Sequence, residues 1–216
     1  MDELTPRPTP LPRLAAELRA LPPSCGPVRL VAVDGHAGSG KSTFAARLAE
    51  AFDGAPVLHL DDFATHDELF AWTGRLHRQV IEPFSRGRAA RCAAYDWELR
   101  RFGAERTVEA APVVLVEGVG AGRRELRPWL ARLLWMDLPA EASWARGRHR
   151  DGPAQSEFWD GWESAERRHF AEDPSKPFAD SLVRQCPEGF RVLPGQDETP
   201  NGAEAVTPRD DPSAMR

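Results

Sequence analysis

Lysine is almost missing from this 216-residue chain: of 28 basic residues only Lys41 and Lys176 are not arginine. Cysteine is scarce as well. Cys25, Cys92 and Cys186 are odd in number and have no CxxC spacing, which speaks against a disulfide framework and a zinc site and fits a reducing cytoplasm. No run of ~18 apolar residues occurs, and the opening MDELTPRPTPLPRL has acids and prolines where an export signal has a basic patch and an apolar run. A soluble, unexported protein without a membrane partner is expected. A basic excess is absent too: the formal charge of −5 argues against nucleic acid as the main partner and for a small ligand. The six histidines show no metal-ligand spacing and receive no role.

One of the two lysines stands where chemistry wants it. Val28 to Thr43 reads VRLVAVDGHAGSGKST, an apolar run of strand length that breaks into a glycine-rich loop. Gly35, Gly40, Lys41 and Ser42 fit G-x-x-x-x-G-K-[ST], a phosphate cradle. Its backbone N–H groups turn inward on a polyphosphate, the lysine reaches the outer phosphates and the hydroxyl ligates magnesium. Gly35, Ala37, Gly38, Ser39, Gly40, Lys41, Ser42 and Thr43 are the predicted nucleotide contacts, with ATP and Mg2+ as cofactors. A helix over Phe44 to Phe52 would add its N-terminal dipole.

The length suits one α/β domain, expected over residues 13–193 between a loose proline-rich arm, 1–12, and a disordered tail, 194–216. Leu14, Leu18 and Leu21 space a first helix over Arg13 to Leu21. Short apolar strands are predicted at Ala55 to Leu60, Pro112 to Val116, Leu133 to Leu138 and Asp180 to Arg184. Helices are predicted at Asp67 to Ser85, Arg123 to Arg132, Ala140 to His149 and Ser156 to Glu172, while Arg86 to Thr107 reads as an irregular, arginine-rich substrate loop. The rhythm is that of a parallel sheet with helices on both faces.

Ligands of such sheets bind beyond the carboxyl ends of the strands. Those ends carry the phosphate loop, Asp61 with Asp62, and Glu117. Glu117 reads as the metal-side carboxylate together with Ser42. Asp61 is favoured as the base that accepts a proton from an attacking hydroxyl. Asp62 can fill a turn or cap role and stands among the candidate acceptor contacts. Arg146, Arg148 and Arg150 precede a Gly-Pro break, as in a mobile lid that brings positive charge to a transferring phosphoryl group. Tyr95 and Trp97, flanking Asp96, can stack on a planar ring. The predicted catalytic residues are Asp61, Lys41 and Arg150; the predicted acceptor contacts are Asp62, Tyr95, Trp97, Arg100 and Arg146.

In order, VAVDGHAGSGKST, LHLDDF, YDWELRRF, VVLVEG, RGRHRD and PFADSLV resemble the uridine kinase branch of P-loop kinases over about Val28 to Val183. The resemblance implies a P-loop NTPase three-layer fold with a lid. It also implies Asp61 as catalytic base, Ser42 and Glu117 on the magnesium side, Tyr95 at the substrate ring and Arg150 as a lid arginine. Ala64 replaces the family's tyrosine and Arg100 its histidine, two nucleoside contacts, and Gly152 to Glu157 lacks further lid arginines. Phosphoryl transfer to an acceptor other than a pyrimidine nucleoside is therefore expected, and Arg100 with Arg101 suits an acidic or phosphorylated one. A GTPase would need Asn-Lys-x-Asp, and the one asparagine is Asn201. The alternative of another class is an ATP-binding regulator without turnover, for which neither Asp61 nor the arginines are needed.

Overall fold

The computed structural model describes residues 8–195. Residues 1–7 of the expected arm and 196–216 of the expected tail lie outside the described residues. The chain opens with α1 (Leu11–Arg19), which starts two residues earlier than its leucine spacing predicts because prolines are welcome in a helix's first turn. Then follow β1 (Arg29–Asp34), α2 (Lys41–Ala51), β2 (Val57–His59) and a 3-10 turn over Leu60–Asp62. A helix interrupted by a π turn comes next: α3 (Thr73–Leu76), the π turn His77–Ile81, and α4 (Glu82–Ser85).

A hairpin, β3 (Ala90–Asp96) and β4 (Arg101–Val108), leads to β5 (Val113–Glu117) and β6 (Arg132–Met136). The chain ends in α5 (Ala140–Asp151), α6 (Ser156–Glu172), β7 (Ser181–Cys186) and β8 (Gly189–Pro194). The main sheet has the order β2-β5-β1-β6-β7-β8, parallel except for β8, which runs antiparallel to β7.

Both faces of the sheet are buried, which is why its strands read as continuous apolar runs. Alternate residues of β1 go to opposite sides. Leu30 and Ala32 join Trp72, Leu76, Val80 and Phe84 on one face; Val31 and Val33 join Leu14, Leu18, Phe44 and Leu48 of α1 and α2 on the other. At ~25 cal/mol per Å² of apolar surface, each such leucine or valine contributes about 1.5–3 kcal/mol when buried.

Three expectations are corrected. Arg86 to Thr107 is not irregular: it forms the β3–β4 hairpin, with Asp96 Oδ1 accepting the N–H groups of Glu98 (3.0 Å) and Leu99 (2.8 Å) at the turn. Nearly all of β4 is exposed, so it lacks the apolar alternation that marks a half-buried strand. Arg123 to Arg132 holds no α-helix, only a 3-10 turn at Arg127–Trp129, because Pro128 supplies no N–H and disfavours helical geometry in the residue before it. The helix expected from Asp67 starts at Thr73; Thr65 Oγ1 accepts the N–H of Glu68 at 3.1 Å and holds that stretch in a turn. At the other end, β8 takes Pro194 from the expected tail and seats Phe190 against Phe44, ring centroids 4.9 Å apart.

His169 of α6 docks that helix on the rest of the domain. It stacks on Phe70 with centroids 4.6 Å apart and accepts from Arg123 Nη2 at 3.3 Å. Burial, then the neighbouring Arg123 charge, push its pKa down to about 4. The unfolded chain therefore binds a proton near pH 6.5 that the folded chain refuses until about pH 4, so stability falls as pH drops through that window. Between pH 6.5 and 5 the loss from this group is about 2 kcal/mol. Urea unfolding at the two pH values should show that loss in the native chain and lack it in His169→Gln.

Candidate active site

The loop after β1 is shaped by glycines in backbone conformations other residues avoid: Gly35, Gly38 and Gly40 have φ of 143°, 84° and 98°. Gly38 also has no room for a side chain. A Cβ there would lie 2.0 Å from the carbonyl oxygen of Ser143 in α5, so loop and helix touch through backbone. Lys41 is almost buried and donates to the carbonyl of His36 at 3.0 Å, its ammonium held across the loop mouth. Ser39 Oγ is buried without a partner. This cradle, with its inward lysine and orphaned hydroxyl, fits a polyphosphate, and the Ser42 hydroxyl and Glu117 carboxylate are hard oxygen donors of the kind magnesium takes.

Glu117, the last residue of β5, lies beside His59 in the β2–β5 register, and His59 Nδ1 donates to its carboxylate at 2.5 Å. That bond raises the imidazole's pKa against the opposing effect of burial. Asp61 projects into the cleft. Its side chain is solvent-exposed, yet the protein packed around it, and after it the Glu117 charge, lift the carboxyl above the ordinary range while Lys41 opposes the lift. Asp62 is paired with Arg106 of β4. The two neighbouring aspartates thus face different tasks: one is open to the cleft and one is tied to the hairpin.

The three arginines of α5 separate. Arg148 binds Glu163 and Asp160 of α6, both at 2.6 Å, and is a helix-to-helix tie rather than a lid cation. Arg150 forks onto Asp151 at 2.6 and 2.9 Å. Arg146 reaches Gln185 Oε1 at 3.3 Å, on the phosphate-loop side rather than among the predicted acceptor contacts.

Two cavities meet here. One of ≈ 440 Å³ is lined by the loop from Ala37 to Thr43, by Asp61 and Glu117, and by Arg146 and Arg150. Its neighbour, ≈ 630 Å³, is walled by aromatic side chains, Trp97 and Phe158 among them. Asp61, Ala37, Arg150 and Trp162 line both. A further hollow of ≈ 430 Å³ lies between Arg146, Asp137 and the end of β7.

Of the predicted acceptor contacts, Trp97 lines the aromatic cleft, while Tyr95 stands behind it, sharing a 3.0 Å hydrogen bond with His66 Nδ1. Arg100 is at the tip of the hairpin turn with φ 53° and lines neither cavity, so the expectation that it meets an acidic acceptor is corrected.

Sequence reading missed Glu166. This fully buried residue of α6 accepts from His36 Nδ1 (2.7 Å), the Ala37 N–H (3.2 Å) and Trp162 Nε1 (2.8 Å), so it grips the phosphate loop from behind. Burial opposes its charge, yet the His36 bond and the Lys41 field hold its carboxyl below the ordinary range. A signal existed: Glu166 falls in the apolar stripe with Trp159, Trp162 and Phe170, where an acid has no place unless something pairs with it.

No protein-family model matches the chain, and no curated protein sequence matches it. Solved structures do. A possible uridine kinase from Bacillus stearothermophilus aligns over 73% of this chain and 94% of its own, at 19% identity and a TM-score of 0.51. A candidate fructose transport system kinase from Silicibacter sp. TM1040 aligns over 77% and 90%, at 22% identity and a TM-score of 0.50. The fold is that of the P-loop kinases: a mostly parallel six-stranded sheet flanked by helices, with the glycine loop at the end of its central strand. No helix among the described residues is long and apolar enough to cross a membrane.

Removing the Glu166 carboxylate leaves three donors without a partner: His36 Nδ1, the Ala37 N–H and Trp162 Nε1. Glu166→Ala should lower unfolding free energy by about 3 kcal/mol and weaken ATP-analogue binding, read by urea unfolding and by titration; Glu166→Gln, which keeps one acceptor, should lose less of both.

Proposed function

We propose that this protein is an ATP-dependent small-molecule kinase that transfers the γ-phosphoryl group to an acceptor hydroxyl. One observation carries the reading: a phosphate-loop cavity and an aromatic cleft adjoin, and Asp61 and Arg150 line both. A protein that only binds ATP has no use for a second cleft opening on the γ-phosphate end of its cradle, nor for a carboxylate at the junction.

In this reading the loop N–H groups from Ala37 to Thr43 and the Lys41 ammonium hold the triphosphate, and Ser42 and Glu117 would hold a magnesium ion. When bound, the ion neutralises charge on the β- and γ-phosphates. His59 fixes the Glu117 carboxylate through their 2.5 Å bond, so that side of the site is oriented before ligand arrives. Asp61 accepts the proton of the acceptor hydroxyl as the acceptor's oxygen bonds to the γ-phosphorus and the bond from that phosphorus to the ADP oxygen breaks. Arg150 leaves Asp151 to meet charge on the moving phosphoryl group, and the Gly152 turn after α5, φ 77°, supplies the hinge. The hollow beside Arg146 and β7 receives the adenine base.

The test is ADP release from ATP with and without a panel of nucleosides, sugars and small alcohols, with stimulation by an acceptor expected. ATP binding with no stimulated turnover across the panel would favour a nucleotide-binding regulator instead. Asp61→Asn keeps shape and loses charge; it should lower kcat by about 10² to 10⁴, or about 3 to 5 kcal/mol, while ATP-analogue affinity holds. Asp62→Asn gives up only the half-exposed Arg106 pair and should cost far less. An inactive Asp62→Asn beside a normal Asp61→Asn would reverse the two assignments.

A further inference from the structure

The aromatic cleft is rich in charged acceptors, while its uncommitted donors are neutral: the Gln155 amide and the Trp97 indole N–H. Asp61, Glu98 and Asp151 line it with three carboxylates. Its one strong cation, Arg150, is claimed by Asp151 at 2.6 and 2.9 Å, and any move toward the phosphates would leave Asp151 without its cation and the cleft more negative still. The indole N–H groups of Trp159 and Trp162 are spent on Asp151 (3.1 Å) and Glu166 (2.8 Å), so these side chains offer a ligand only carbon and π surface. His66 Nδ1 is engaged by Tyr95. An anionic ligand finds no free charge partner in this cleft.

A cation finds several. Trp97 and Phe158 meet edge to face with centroids 6.2 Å apart, Phe158 and Trp162 stack at 5.9 Å, and His66 leans on Trp97 at 4.9 Å. The negative faces of such a wall attract an ammonium group, most of all where water is partly excluded and carboxylates stand near. We propose that the cleft takes an alcohol that carries an ammonium group, with the charge held by Trp97, Phe158, Trp162 and Glu98 and the hydroxyl turned to Asp61. The inference rests on the kinase reading only for the role of that hydroxyl; transfer leaves a phosphorylated amino alcohol and ADP, with the proton on Asp61.

Two measurements separate the inference from the kinase reading. In the first, tryptophan fluorescence follows titration of the full chain, loaded with a non-hydrolysable ATP analogue and magnesium, with choline, with its uncharged isostere 3,3-dimethylbutan-1-ol, and with glycerate. Choline should bind at least about tenfold more tightly than the isostere, and glycerate least. Glu98→Gln, an exposed position that does not threaten folding, should erase most of the choline preference and leave the isostere within about twofold. In the second, ADP release is measured with choline, ethanolamine and glucosamine against 3,3-dimethylbutan-1-ol, glucose and glycerate, and the ammonium compounds should lead in kcat/KM. Equal binding of choline and isostere, or turnover led by a neutral or anionic acceptor, overturns the inference and leaves the kinase reading intact. Preferred binding of ammonium compounds with no turnover of any acceptor supports the inference and overturns the kinase reading.

Discussion

The buried carboxylate of Asp34 is the constraint on which the site depends. It ends β1 without any solvent contact and accepts N–H groups from Gly35 (2.7 Å), Gly120 (2.9 Å) and Gly122 (2.8 Å). Burial pushes its pKa up, and the three backbone donors pull it back. These bonds join the start of the phosphate loop to the segment after β5, so the cradle and Glu117 keep a fixed spacing. A hydrophobic residue here would leave three amides unpaired in the core, at about 1–3 kcal/mol each.

On the opposite side of the loop, α6 has the same effect through Glu166. The phosphate loop is thus clasped between two buried carboxylates, one at its root and one behind Ala37. That makes Lys41 the lone ammonium among Asp61, Glu117 and Glu166, a balance suited to a metal–nucleotide complex that brings positive and negative charge together. Because α6 also supplies Phe158, Trp159 and Trp162 to the aromatic cleft, one helix orders the nucleotide side and walls the other. Its hold on α5 is close: a Cβ on Gly147 would lie 2.2 Å from the Trp159 ring. Motion of α6 therefore reaches both cavities at once.

Legibility followed the range of the forces involved. The buried strands of the sheet could be read because burial on both faces demands runs such as VRLVAV and PVVLV, and α6 because its apolar stripe repeats over 17 residues. The β3–β4 hairpin could not, since exposed strands carry no burial pattern, and in the segment after β5 Pro128 interrupts what otherwise reads as a helix. Within the site, Gly35 to Thr43 announce themselves through a contiguous motif whose spacing is dictated by backbone geometry. His59 announces nothing, and Glu166 shows only as an acid in an apolar stripe, because each acts on a partner far along the chain.

By itself the sequence determined the local chemistry on offer: a glycine loop whose spacing matches a phosphate-cradle motif, a lysine kept where arginine prevails, and carboxylates at the ends of buried strands. Tertiary structure alone decided which of those groups share a cavity. It set Asp61 at the junction of two cavities and Asp62 on Arg106, split the three arginines of α5 among three tasks, and left Arg100 outside. The physical reason is one of distance. Motif spacing fixes geometry across a few residues, whereas which carboxylate is free to act is settled by packing between segments far apart in sequence, 44 residues for Asp62 and Arg106 and 130 for Glu166 and His36.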